Sequence, residues 1–339
     1  MKAVRYHSHG DLDMLQVDDI ALPEPGLGEA LVRVEACALN HLDILQRRGP
    51  ALIPGFLLPH IAGMDVAGTV VSSATLAEGT RVVLNPALPC GKCQRCLAGD
   101  DGQCPTAAVI GGSVAGGYAE FVVVPELNLH VVPSNVSMAE AAVVPTVWMT
   151  AWHALHETGK VRDGEDVLIH AAGSGVSTAA IQLAKAAGAR VIATVSSAAK
   201  TGYAAELGAD LVLDSSDADL VSKVRAATDG RGVDLVLDHV GPATWNAGVY
   251  SLASRGRLVF FGNTTGNRVD FDLVYAYHFG LQLLGSDPYN LREFATMLDT
   301  YWASDFVTPI DSEFDLVDAR AAQERMESRA ATGKIVLRT

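Results

Sequence analysis

The stretch VLIHAAGSGVSTAAIQLAKAAG, residues 167–188, decides the fold. Its first part, VLIHA (167–171), is an apolar run of strand length. It enters a turn, AAGSGVS, with glycines at 173 and 175. A helical segment follows, with Ile181, Leu183 and Ala184 at helical spacing and Gly188 as a stop signal. A strand that runs through glycines into a helix presents backbone amides at the helix start, where a pyrophosphate binds. Gly173 supplies the tight turn and Gly175 the close backbone approach, with Ser174 and Val176 beside them. Residue 178 is Thr, so the full G-x-G-x-x-G pattern is incomplete and the small residues Ser174, Ser177 and Ala179 supply the close packing. A lone glycine string says little, but this strand–turn–helix setting marks a dinucleotide site.

Working outward, five more strand-like runs alternate with helical stretches: RVIATV (190–195), DLVLD (210–214), VDLVLDHV (233–240), RLVFFG (257–262) and LQLLGS (281–286). Six such strands predict an α/β fold with a doubly wound parallel sheet covered on both faces. The second run ends in TVSSAAK, where NAD-preferring sites place an acidic residue for the ribose 2′-OH. Ser196, Ser197 and Lys200 stand there instead. Hydroxyls and a cation suit a 2′-phosphate, so NADPH is the expected cofactor; the alternative for Lys200 is a solvated helix lysine.

Upstream, to about residue 130, the chain is β-rich: ALVRVEAC, MDVAGTVV, TRVVL and AEFVVV are separated by Gly and Pro. The tail begins helical and ends in GKIVLRT, a strand able to return to the first lobe. The expected domains are 1–148 completed by 289–339, and 149–288. The run PCGKCQRCLAGDDGQC holds Cys90, Cys93, Cys96 and Cys104, four of the five cysteines. Four thiolates at this spacing predict one closed tetrahedral Zn²⁺ site, structural rather than catalytic; two disulfides are the competing reading. The N-terminal MKAVRYHSHG lacks a leader's apolar segment, and no apolar run is long enough to span a bilayer. A formal charge of −14 disfavours nucleic acid and anionic membrane surfaces as partners. A cytoplasmic protein acting on a small molecule is expected.

The cysteine string, GMDVAGTV, PTVWMTAWHAL, AAGSGVS and the closing GKIVL, in this order, resemble the medium-chain dehydrogenase/reductase superfamily over nearly the whole length. That resemblance implies a GroES-like β-rich catalytic lobe joined to a Rossmann lobe, and a homodimer or homotetramer joined through the last Rossmann strand. Zinc alcohol dehydrogenases of the superfamily carry a second, catalytic zinc. The positions matching its ligands are Asn40, Met64 and Thr146, none of them a zinc ligand here. The pattern is closer to the quinone oxidoreductase and enone reductase branch, whose GxD segment is matched by Gly63, Met64 and Asp65. Without a Lewis acid, an acceptor that spreads charge by conjugation is the expected substrate, and hydrogen-bond donors suffice at its oxygen.

The resemblance also nominates site residues. Asn40, His41 and Asp43, within ACALNHLDILQRRG, are the catalytic candidates: a donor to substrate or cofactor, a ribose contact or proton relay, and an orienting group. Relatives often place a tyrosine where Leu45 stands, so no tyrosine donor carries over. Thr150 matches a nicotinamide-contacting threonine. His239, Gly262 and Asn263 close two strands at the cofactor edge, and Ser286 and Lys334 are further cofactor candidates. Trp148 and Phe56 are either pocket walls or core. Two other readings stay open: a zinc alcohol dehydrogenase with ligands from Cys37, His41, His60 and Asp65, and an NADPH-binding structural protein of low turnover.

Overall fold

The computed structural model describes residues 1–50, 53 and 55–339. The chain forms two units, Met1–Thr146 with Tyr289–Thr339, and Val147–Pro288. The first boundary falls inside the helix Pro145–Trp152, two residues before the position read from the sequence. The physical reason is local: Thr146 bonds to Asp65 of the first unit.

The second unit is built on one six-stranded sheet. Its spatial order is Leu211–Asp214, Arg190–Val195, Asp166–Ile169, Val233–Asp238, Leu252–Phe260 and Gln282–Gly285. Every pairing is parallel. Numbered along the chain, this order is 3-2-1-4-5-6, the dinucleotide-binding arrangement. Val167, Leu168, Val191, Ile192, Leu235 and Val236 are buried, as central strands covered on both faces require. The order of strand addition reverses between Asp166–Ile169 and Val233–Asp238, so the carboxyl ends of these two parallel strands form the switch point where ligands bind such sheets. The helix Gly175–Ala186 crosses over from the first strand. It stops at Gly188, whose φ of +82° only glycine adopts at low cost.

The first unit is mostly antiparallel. Its largest sheet runs Leu129–Val131, Arg81–Leu84, Asp65–Ser72, Glu29–Ala38, Lys334–Arg338 and Ile310–Asp315, with Phe121–Pro125 also pairing with Glu29–Ala38. The C-terminal strand Lys334–Arg338 therefore lies against Ala36–Ala38 from the start of the chain. Gly68 is required at a close crossing, since a Cβ there would sit 2.1 Å from the Arg33 carbonyl oxygen. Val32, Val34, Val66, Val70, Val122, Ile335 and Leu337 fill the core. Among the described residues, no helix is long and apolar enough to cross a membrane.

Candidate functional site

Three assemblies carry chemistry, one in the second unit and two in the first. In the second unit, the helix Gly175–Ala186 begins at Ser174, whose side chain does not cap it. The first-turn amides of Gly175 and Val176 are thus available to an anion. The strand before them ends at Ile169, and Ala171 in the turn is held at φ +54°, an unusual conformation for alanine. Gly173 must lack a side chain: a Cβ would lie 2.9 Å from Cδ of Lys200 and 3.2 Å from its Nζ. The ammonium of Lys200 is thereby laid over the glycine turn. Ser196 and Ser197 are exposed at the end of the second strand.

Across the switch point, Ser177 Oγ donates to the His170 carbonyl at 2.7 Å and lies 3.0 Å from His239 Nε2. Asp238 Oδ1 accepts the amides of Val240 and Gly241 at 2.7 and 2.9 Å, which shapes the turn after the fourth strand. Gly262 passes so close to His239 that a Cβ would meet its carbonyl oxygen at 2.5 Å. Asn263 is exposed beside it, Ser286 is half-buried with its hydroxyl accepting from Thr158 at 3.4 Å, and Thr150 is half-buried in its helix. His170 is fully buried and its pKa falls to about 4, chiefly through burial and then through His239, against the pull of Asp238. It is neutral, with Nδ1 on the Thr194 hydroxyl at 3.1 Å. Sequence reasoning placed Trp148 in core or pocket; it is fully buried. The contact between His153 Nε2 and Asp287 Oδ1, 3.1 Å, was not foreseen.

In the first unit, Asn40 caps the helix His41–Arg48 and leads into a buried network. Its Nδ2 donates to Asp65 Oδ2 at 2.9 Å. Its Oδ1 accepts from Lys334 Nζ at 2.9 Å. Lys334 Nζ also donates to the Leu39 carbonyl at 2.7 Å and to Asp65 Oδ2 at 3.1 Å. Asp65 Oδ1 accepts the Thr146 amide at 2.9 Å and its hydroxyl. The Lys334 ammonium, 4% exposed, commits its three donors within this unit. A buried ammonium left unpaired is costly, and Asp65 removes that cost.

Asp43, buried one turn into the helix, accepts the Asn40 amide at 2.8 Å, the Gly63 amide at 3.3 Å and the Tyr118 hydroxyl at 3.2 Å. Burial lifts its pKa to about 6, with Asp65 adding to the rise and Lys334 and the two amides opposing it. It therefore ties the Asn40 segment to the Gly63–Asp65 segment. His41 is exposed at the first helical position. Its pKa lies below the ordinary histidine value, first because packing around the ring strips part of its hydration and then because of the Arg329 and Arg48 cations. Phe56 stacks with His9 and lies against Tyr6 and His60, an aromatic group of the same unit. The sequence nominated Asp65 as part of the GxD segment and as a ligand of the alternative zinc set; a lone carboxylate inside the apolar strand MDVAGTVV was the available signal of a buried partner.

The four cysteines converge at the surface of the same unit. Their Sγ atoms lie within 4.8 Å of one another, and the pairs 93–96, 90–96 and 93–104 are 3.4, 4.0 and 4.0 Å apart. Thiolates about 2.3 Å from a tetrahedral zinc stand roughly 3.8 Å apart, so the set fits that ion. All are free thiols, not disulfides. The amides of Cys90 and Cys93 point at Cys104 and Cys90 sulfurs at 3.3 and 3.4 Å, which favours thiolates. Among the described residues, no other group of His, Cys, Asp or Glu offers three ligand atoms close enough for a metal.

Two family models match: an alcohol dehydrogenase GroES-like domain over residues 26–134 and a zinc-binding dehydrogenase over 175–303. The chain is 30% identical to the NAD-dependent alcohol dehydrogenase of Sulfolobus acidocaldarius, covering 100% of this chain and 99% of that one. It is 31% identical to a quinone oxidoreductase of Pseudomonas aeruginosa, covering 99% of each. A crystal structure of an NAD-dependent alcohol dehydrogenase superposes over the whole of both chains with a TM-score of 0.94 at 38% identity. The chain therefore belongs to the medium-chain dehydrogenase/reductase family, zinc-type alcohol dehydrogenase-like, and is an NAD(P)-dependent oxidoreductase.

Proposed function

We propose that the protein reduces quinones or α,β-unsaturated carbonyl compounds with NADPH, holds one structural zinc on Cys90, Cys93, Cys96 and Cys104, and uses no catalytic metal. The observation that carries this reading is the closed network of Asn40, Asp65, Thr146 and Lys334. Two of the three positions that resemble catalytic-zinc ligand sites, Asn40 and Thr146, bond to Asp65, and the third is Met64. The unusual ligand set Cys37, His41, His60 and Asp65 is disfavoured as well. His60 Nε2 lies 2.9 Å from the Gly111 carbonyl, Asp65 pairs with Lys334, and Cys37 is sealed in the core.

When bound, the reduced nicotinamide supplies a hydride to the acceptor's electrophilic carbon, the displaced π electrons pass to its oxygen, and a proton from solvent completes the reduction. Asn40 donates Nδ2–H to that oxygen, in the electrostatic role a metal would otherwise fill. Asp43 holds the Asn40 backbone in place. His41, neutral and exposed, passes the proton. In the nucleotide site, Gly173, Ser174, Gly175 and Val176 bind the pyrophosphate, and Ser196, Ser197 and Lys200 bind the 2′-phosphate. Thr150, His239, Gly262, Asn263 and Ser286 flank the rest of the cofactor. Ser196, Ser197 and Lys200, standing where an acidic residue would grip a ribose 2′-OH, support NADPH over NADH.

The clustered free thiols fit a reducing, cytoplasmic setting. Gln282–Gly285 is an edge strand with Leu273, Val274 and Tyr277 exposed nearby, which supports pairing with a second copy; the mass in solution tests it.

The test is steady-state oxidation of NADPH and NADH with enones, quinones and simple aldehydes, together with a metal count. One zinc per chain, turnover of conjugated acceptors and a clear preference for NADPH that Lys200→Ala abolishes are expected. Two zincs with turnover of simple alcohols would replace this reading by a zinc-type alcohol dehydrogenase. Tight NADPH binding with no turnover on any acceptor would replace it by a cofactor-binding structural role.

A further inference from the structure

The Asn40 side chain is fixed at both ends, and by opposite charges. Its oxygen faces an ammonium and its nitrogen a carboxylate, each at 2.9 Å. That pattern sets the amide orientation: turning it over would aim the NH₂ at Lys334 and the oxygen at Asp65, two repulsive contacts. A carboxamide nitrogen has two hydrogens. One goes to Asp65, and the second has no acceptor among the described residues. Asn40 is 7% exposed, so the residue is not wholly sealed.

Lys334 has no such freedom. Its ammonium carries three hydrogens, and they go to Leu39, Asn40 and Asp65. Its hydrogen-bonded route toward a bound acceptor therefore runs through Asn40. An ammonium on the amide oxygen draws electron density from the nitrogen and strengthens the remaining N–H as a donor, and low local dielectric increases the effect. The carboxylate on the other hydrogen prevents rotation and balances the charge.

We propose that Lys334 is a positioning residue for the reduction: it orients and polarises the Asn40 amide so that the free Nδ2–H stabilises negative charge developing on the acceptor's carbonyl oxygen. This rests on the reading that Asn40 faces that oxygen. It assigns Lys334 a part in the hydride step in place of a cofactor contact. No proton or electron leaves Lys334. The hydride comes from the nicotinamide and ends on carbon, and the lysine remains an ammonium throughout.

The experiment is a kcat series on para-substituted benzalacetones with NADPH, for the wild-type enzyme, Lys334→Met and the charge-matched pair Asp65→Asn with Lys334→Met. A poorly activated acceptor needs the donor most. Expected is a loss of about 30-fold for the methoxy compound and about 3-fold for the nitro compound, a fraction of what deleting an oxyanion donor costs. The KM for NADPH should stay at the wild-type value. An equal loss across the series, or a loss appearing as a raised KM for NADPH, overturns the proposal: the first marks a structural role and the second a cofactor contact. Where Lys334→Met alone does not fold, the charge-matched pair decides. Failure of the underlying reading is distinct, because the wild-type enzyme itself would then leave NADPH unoxidised with every enone and quinone, and both proposals would fall.

Discussion

The first unit contains two polar assemblies with opposite designs. The cysteine cluster draws its ligands from fifteen consecutive residues and lies in a partly exposed loop. Its sulfurs face one another in an arrangement that fits a single ion. The Asp65 network draws Asn40, Asp65, Thr146 and Lys334 from segments up to 294 positions apart, is largely buried, and answers its own charges. The contrast teaches where each should matter. A local, ion-dependent staple holds a loop, whereas a network made of distant segments holds the sheet that presents Asn40.

The sharpest way to break this contrast is Asp65→Ala. It leaves the buried Lys334 ammonium with only neutral acceptors, and breaking a buried pair from one side costs about 3–5 kcal/mol. Urea denaturation should show that loss, with zinc still at one per chain. A loss below about 1 kcal/mol would mean that the network does not bind the segments together.

Asp43 gives the next largest effect, and its sign is definite. Its ordinary pKa of 3.8 rises to about 6 in the fold, where the residue is 1% exposed. Between these values the folded chain keeps a proton that the unfolded chain has released. Stability contributed at this site is therefore full below about pH 4 and falls as pH rises through about 6, by up to about 3 kcal/mol. Asp43→Asn cannot ionise. Its stability relative to wild type should rise between pH 4.5 and 7, and a constant difference across that range would contradict the assignment.

The two assemblies also differ in how they appear in the sequence. The cysteines announce themselves by spacing. So does the dinucleotide turn, and the run RVIATV forms the strand Arg190–Val195 over the same residues. These signals are local, and the physics behind them is local. The fifth strand begins at Leu252, five residues earlier than its apolar run suggests. Ser254, Arg255 and Gly256 look like a turn, and Arg255 does have φ +63°, yet the strand continues through that irregularity. The partners of Lys334 were hidden for a different reason. In GKIVL a lone lysine carries no sign of Asp65 or Asn40, because contact requires the last strand to lie against Ala36–Ala38. Likewise, no spacing links His153 to Asp287, or Asp43 to Tyr118.

The smaller predictions concern the staple. Cys93→Ser should abolish zinc binding and speed amide exchange across residues 90–104 by at least about tenfold, as expected for local opening. Because the cluster is remote in role from Asn40, kcat should remain within about twofold of wild type. A collapse of kcat with zinc loss would erase the distinction between the two assemblies.

Asn290 tests the boundary between local and global most finely. It precedes the helix Leu291–Trp302, and its Oδ1 accepts the Gly102 amide of the zinc loop at 2.9 Å. In return, Asp101 of that loop accepts the Leu291 amide at 2.9 Å. Its neighbour Tyr289 donates to Asn85 Oδ1, also at 2.9 Å, so the loop is fastened where the chain re-enters the first unit. Asn290→Ala deletes the tie and the cap and should cost about 1 kcal/mol, with zinc released faster to a chelator. Asn290→Asp keeps an acceptor for Gly102 and should restore the wild-type release rate. If alanine instead lowers kcat while zinc release is unchanged, the tie serves the returning chain and not the loop, and the staple is less local than its compact ligand spacing implies.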